Sequence, residues 1–377
     1  MRKILTLSRV VAVCSLGVLA VACGSDDSAT ETTEAVTPAD TLEATDATTP
    51  AETTPAETTP ATTAAPDVEL PKIVVTTNIL GDIVTQTVGD LAEVEVIMPI
   101  GSDPHDFAPS ARQAETMENA DLLVVNGAGF EEGMIDIIEL VESGGTPVFT
   151  FADHISLLAF DGKDEHGDEH GDEAKEDDHD HGDEHGDEHG DEHGHAHSGD
   201  DPHIWTDPSR MITAVEAFGV QLSELDGVDV EAVEAQVQSY VDELVALVEE
   251  MEQTLSTVPA ENRTLVTNHE VFGYFADRFD FEIVGAVIPS LTTSAEPSTA
   301  EVEALVALIE QEQIPAIFAE TSGSTRLAEA IAASAGDEVA VVLLFSESLG
   351  DPGSGAETYI DMMMTNATLI ADALTPA

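Results

Sequence analysis

From residue 73 onward, short runs of Val, Ile and Leu alternate with stretches whose apolar positions recur every three or four residues. Residues 73–77, 94–98, 121–126 and 148–151 read as buried strands, with helices over 79–88, 110–119 and 131–142 between them. The same rhythm restarts at 264–267 and continues through 281–288, 314–319 and 339–345. Such alternation predicts an α/β architecture of two lobes, each a parallel sheet flanked by helices. Between the halves, Val230, Val233, Val237, Val241, Leu244, Val248, Met251 and Leu255 form one apolar stripe of a long helix. The stripe covers about seven turns. A helix of that length either struts the two lobes or packs on one of them, and periodicity leaves both open.

Three segments fall outside this pattern. The first 23 residues begin with Arg2, Lys3 and Arg9 and continue apolar to Ala22, a secretory leader. Its end, Leu19-Ala20-Val21-Ala22-Cys23, resembles a bacterial lipobox, in which the cysteine is lipidated. An uncleaved anchor and an ordinary signal peptide are the alternatives, and every route places the rest of the chain outside the cytoplasm. Residues 24–67 are rich in Thr, Ala, Pro and Glu and are expected to form a disordered spacer reaching about 35–40 Å. Residues 161–201 hold nine histidines, 19 Asp or Glu and two Lys, with Gly-Asp-Glu-His repeated. Gly-rich, charge-dense sequence cannot form a core, so a mobile loop is expected. The chain thus divides into a leader (1–23), a spacer (24–67), an N-terminal lobe (68–228) containing the insert, a linker helix (229–258) and a C-terminal lobe (259–377).

Charge and cysteine content narrow the chemistry. The 377 residues carry a net charge of −65, which excludes nucleic acid as a partner and suits a small cation. The acid excess extends well beyond the insert and reads as an adaptation to salt or a solubility feature. Both cysteines lie in the leader, so the lobes have neither disulfides nor thiolate ligands. In the insert, His166, His170, His179, His181, His185, His189, His193, His195 and His197 stand among carboxylates. Imidazole and carboxylate are donors for zinc and similar divalent ions, so the insert is expected to capture metal loosely. Outside it lie four histidines, His105, His154, His203 and His269. His105 and His203 each follow Asp-Pro, where the proline stiffens the loop. His105 and His269 follow predicted strands at what read as comparable places in the two halves, so they are expected to face each other across a cleft. His154 and the Met362–Met364 run read as structural. An enzyme is not expected: His269-Glu270 is followed by Gly273 where a zinc protease needs its second histidine, and no nucleophile elbow or phosphate loop occurs.

At these residues the sequence resembles the metal-binding family of ABC-importer solute-binding proteins. The likeness is carried by Gly-Ser-Asp-Pro-His-Asp-Phe-Ala-Pro-Ser (101–110), Asp-Pro-His-Ile-Trp-Thr-Asp-Pro (201–208), His-Glu-Val-Phe-Gly-Tyr-Phe (269–275), Ala-Glu-Pro-Ser (295–298) and Phe-Ser-Glu-Ser-Leu-Gly (345–350). It implies one ion held between two lobes joined by a long helix, with His105, His203, His269 and an acid as ligands. The acid position falls on Glu347, where the family usually has Asp; Asp351 or a water is the alternative fourth ligand. Manganese-type members resemble the sequence but carry a carboxylate where His269 stands, so the resemblance implies zinc as the transported ligand. Three imidazoles and a carboxylate suit tetrahedral zinc. The function implied is a lipid-anchored, extracytoplasmic, monomeric binding component that delivers zinc to a membrane permease with its ATPase. The alternatives are a manganese-binding component and a surface adhesin of the same fold. Neutral imidazoles are required, so binding is expected to weaken below pH about 6–6.5.

Overall fold

The computed structural model describes residues 70–160, 199–336 and 338–376. The leader with Cys23, the spacer and all nine insert histidines lie outside the described residues.

The first lobe contains β1 (Lys72–Val75), α1 (Asn78–Val88), β2 (Glu93–Val96), α2 (Ala111–Glu118), β3 (Leu122–Val125), α3 (Ile135–Gly144), β4 (Val148–Thr150) and α4 (Pro208–Leu222). The long helix α5 (Val230–Leu255) leads to β5 (Thr264–Thr267), α6 (Gly273–Phe279), β6 (Glu282–Ala286), α7 (Thr299–Glu312), β7 (Ala316–Glu320), α8 (Arg326–Ala335), β8 (Ala340–Leu344) and α9 (Tyr359–Leu374). The strand orders are β2-β1-β3-β4 and β6-β5-β7-β8, all parallel. The inner strands are continuous apolar runs because helices cover both faces. Ile73, Val74 and Val75 are fully buried, as are Leu122 to Val124.

Helix starts are fixed locally. Thr77 caps α1, Ser110 forms a capping box with Gln113 for α2, and Ser298 forms one with Glu301 for α7. Asp207 caps α4 with Pro208 in its first turn, so the second Asp-Pro of 201–208 is a helix start. A helix expected from residue 131 begins at Ile135, after a single 3-10 turn, because Glu131 is turned inward.

Helix α5 packs against α1 and α4 of the first half and α9 of the second. Its buried face is accordingly wider than the expected stripe and adds Tyr240 and Leu247, while Val230, its first residue, is exposed. One continuous core runs from Ile73 through α5 to Phe275 and Ile370, and smaller clusters fill the outer face of each sheet. Met362 and Met363 belong to the shared core. His154 is exposed and stacks on Phe149 with ring centroids 4.5 Å apart.

Candidate metal centre

Four loops at the carboxyl ends of strands meet between the two sheets. His105 lies in the loop after β2, His203 in the segment between β4 and α4, His269 after β5 and Glu347 after β8. The two expected facing positions are therefore not equivalent. His105 follows an edge strand, whereas His269 follows an inner one, the counterpart of β1. The counterpart of the His105 loop is the loop after β6. These two loops touch: Thr293 Oγ1 donates to Asp103 Oδ2 at 2.6 Å, and Ser294 Oγ donates to Asp106 Oδ1 at 3.1 Å.

His105, His203, His269 and Glu347 are all buried, and each offers one ligand atom within 4.8 Å of the others. Glu347 Oε1 lies 2.8 Å from His105 Nε2, 3.2 Å from His269 Nε2 and 3.8 Å from His203 Nε2. His203 Nε2 and His269 Nε2 are 3.3 Å apart. A tetrahedron with bonds of roughly 2.0–2.1 Å has edges of about 3.3–3.4 Å. These four spacings are therefore close to those of a four-coordinate shell. Asp351, the alternative acid, is exposed.

Each imidazole turns Nε2 to the common point because a carboxylate takes the other nitrogen. His105 Nδ1 meets Glu132 at 3.2 Å, His203 Nδ1 meets Asp201 at 2.7 Å, and His269 Nδ1 is bonded to Glu320. Carboxylates in this position fix ring orientation and raise the donor strength of the free nitrogen. Sequence reasoning did not assign these three acids. Asp201 had a local signal, since an Asp two residues before a histidine can accept its N–H. It does so here at 2.9 Å, and Asp103 does the same for His105 at 3.0 Å. Glu132, in the 3-10 turn before α3, and Glu320, at the end of β7, are distant in sequence from the histidines they meet and carry no local mark.

The electrostatics suit a cation. Burial pushes the His105 ring down, but hydrogen bonds to Glu132 and Glu347 outweigh it, and its pKa is pushed up to about 9. Burial likewise opposes charge on His269, yet Glu320 and Glu347 face it from two sides and raise it well above the ordinary value. His203 is lowered, because burial exceeds the pull of Asp201. For Glu347, burial is overcome by His269 and His105, and its carboxyl is held below the usual range. Glu347 Oε2 and Glu320 Oε2 are buried with no hydrogen-bond partner among the described residues. Converging nitrogens and bare carboxylate oxygens are costly together unless positive charge sits among them.

The walls are rigid. Phe130 packs edge-on to His105 and lies 4.6 Å from Trp205, centroid to centroid. The buried Glu131 accepts from Thr76 Oγ1 at 2.8 Å and from the Asn126 amide at 2.6 Å, which fixes the chain entering Glu132. Gly133 is needed here, since a Cβ would stand 2.3 Å from the Phe107 carbonyl oxygen. The Glu347 loop is held by the first lobe: Trp205 Nε1 donates to the Ser346 carbonyl at 2.8 Å, and the Leu349 amide donates to Asn78 Oδ1 at 2.8 Å.

Known proteins share this arrangement of sequence and fold. The family model for ZnuA, the periplasmic component A of the zinc-uptake complex, matches residues 73–373. The manganese-binding lipoprotein MntA of Halalkalibacterium halodurans is 27% identical over 303 residues, covering 80% of this chain and 88% of MntA. The manganese ABC transporter substrate-binding lipoprotein PsaA of Streptococcus mitis is 25% identical over 308 residues, covering 80% and 89%. The solved structure of the periplasmic zinc-binding protein TroA from Treponema pallidum matches with a TM-score of 0.68 at 26% identity, covering 81% of this chain and 100% of TroA. These are solute-binding proteins, not enzymes. The chain therefore belongs to the ZnuA family of periplasmic metal-binding proteins: it is the substrate-binding component of an ABC importer, with a divalent metal as cargo and a permease and ATPase as partners.

Proposed function

We propose that the protein captures zinc through His105, His203, His269 and Glu347 and releases it to its permease. The observation that carries this reading is the joint orientation of the three rings. Each has Nδ1 on a carboxylate and Nε2 aimed at Glu347, with spacings near those of a tetrahedral shell. Three nitrogen donors favour zinc over manganese, which prefers oxygen. The manganese reading has its own support. The relatives MntA and PsaA are named for manganese, and the unpartnered Glu347 Oε2 would allow a bidentate carboxylate and a fifth bond. Zinc outcompetes manganese at most nitrogen and oxygen sites, so coordination and the metal acquired in cells separate the two. Protein recovered from cells grown with both metals should carry zinc in a four-coordinate shell, and recovery of manganese with five or more ligands would reverse the assignment.

The same reading extends to the rest of the chain. Cys23 becomes the lipidated N-terminus, the spacer 24–67 carries the monomeric lobes clear of the outer face of the membrane, and α5 is the linker between lobes 68–228 and 259–377. The histidines of the insert, His166 to His197, gather zinc beside His203. Deletion of residues 163–199 should slow loading at limiting zinc and leave the central site intact. Unchanged loading would remove the gathering role.

A further inference from the structure

We propose that Thr293 and Tyr274, two hydroxyl-bearing residues of the second lobe, are positioning residues for the first-lobe histidines His105 and His203, so that metal retention depends on lobe apposition. The inference rests on the reading that these histidines hold the cargo.

The two histidines share a design. Each ends an Asp-Pro-His triplet, and each Asp accepts the main-chain N–H of its own histidine. Each triplet is also grasped once by a hydroxyl from the other lobe. Thr293 Oγ1, in the loop after β6, donates to Asp103 Oδ2 at 2.6 Å, while Asp103 Oδ1 holds the His105 amide. Tyr274, in α6, donates to the Asp201 carbonyl at 2.7 Å, while Asp201 Oδ1 takes both the His203 amide and Nδ1. An aspartate thus stands between each second-lobe hydroxyl and its first-lobe histidine: Asp103 reaches the main chain of His105, and Asp201 reaches both the main chain and the ring of His203.

Tyr274 has a second attachment, because its oxygen accepts the Leu158 amide at 3.1 Å. Leu158 and Asp201 belong to the short stem at which the insert leaves and rejoins the lobe, with Ala159 bridged to Asp200 and the Phe160 amide bonded to the Gly199 carbonyl. The tyrosine ring is braced by the Arg210 guanidinium, 4.8 Å from its centroid. The hydroxyl that steadies His203 therefore also closes the root of the insert. Both cross-lobe bonds exist only while the lobes are together. They should slow departure of the ion and leave its encounter untouched. The Tyr274 bond is buried, whereas Thr293 and Asp103 are half-buried, so the tyrosine should matter more.

The test uses the full chain, zinc association by rapid mixing and zinc release into excess chelator. Tyr274→Phe should speed release about 10-fold. Thr293→Val should speed it roughly two- to tenfold. Association should stay within about twofold of the parent in both. Thr293→Ser, which keeps the hydroxyl, should restore parental release. Tyr240→Phe removes a hydroxyl that has no hydrogen-bond partner among the described residues, from a buried tyrosine, and controls for packing loss. Parental release in both Tyr274→Phe and Thr293→Val overturns the inference, as does a Thr293→Ser protein as impaired as Thr293→Val. If Tyr274→Phe does not fold, the Thr293 pair decides alone. A parent chain that takes up no zinc overturns the proposed function and this inference with it; uptake with unchanged release overturns this inference only.

Discussion

The two lobes bring their groups to the centre by different means. The first lobe uses one local device twice: Asp-Pro-His turns the chain, fixes the backbone and presents the ring, at 103–105 and again at 201–203. The second lobe has no such device. His269 leaves β5 and is oriented by Glu320 from the end of β7, and Glu347 sits in a loop held by Trp205 and Asn78 of the first lobe. Local framing fixes the backbone of the first-lobe histidines, which the second lobe reaches through Thr293 and Tyr274. Tertiary framing makes His269 and Glu347 sensitive to whatever happens at β7 and across the cleft.

The comparison can be broken from either side. The largest effect should come from His203→Ala, which removes a buried ring from the shared point. Zinc affinity measured by chelator competition should fall by more than about 100-fold, the upper range for loss of an orienting carboxylate. Acidification should come next. The His105 pKa is pushed up from 6.5 to about 9 in the metal-free protein, and a bound ion must expel that proton. Affinity should therefore rise with pH between about 6.5 and 9, by about tenfold per unit from His105 alone and more steeply where the raised His269 also sheds a proton. This moves the window above the pH 6–6.5 expected from an ordinary imidazole, because Glu132 and Glu347 hold the proton on. The sign for stability is opposite. A raised histidine stabilises the metal-free protein below pH 6.5, and that contribution is lost as pH climbs through about 9. The melting-temperature gap between loaded and metal-free forms should widen over the same interval, and a pH-independent gap would contradict the assignment.

Glu320→Gln tests the second lobe's dependence on a distant strand. It keeps the shape and a hydrogen-bonding oxygen but removes the charge behind His269, and affinity should fall about 10–100-fold. The smallest effect is expected from Gly273→Ala. A Cβ there would stand 2.3 Å from Asp201 Oδ2, and Asp201 can yield only by turning away from His203. Affinity should drop about 10-fold. The helix itself should not suffer, since Ala is the better helix former. Global unfolding by Gly273→Ala, with no separate loss of affinity in the folded fraction, would show that Asp201 is not the part that gives way.

Much of the fold was legible because parallel strands covered on both faces are continuous apolar runs, as at Ile73–Val75 and Leu122–Val125. The histidine loops were legible because turn residues and ligands are adjacent in sequence there. What escaped depends on distance along the chain. Glu320 reads as the polar end of a strand, and only the packing of β7 beside β5 turns it to His269. Glu131 and Glu132 read as the acidic first turn of a helix. One is instead buried under Thr76 and the other meets His105. His105 and His269 do face each other, with ring centroids 5.7 Å apart, but they do not follow counterpart strands, because strand order, not strand number, decides which loops are equivalent.

The central claim is that three rings and one carboxylate from two lobes hold a single ion. Anomalous diffraction at the zinc edge from zinc-loaded crystals tests it most directly. The account predicts one peak within roughly 2.0–2.2 Å of Nε2 of His105, His203 and His269 and of a Glu347 oxygen. A peak bound through Nδ1 of any of these rings, or lying outside the cleft, would contradict it.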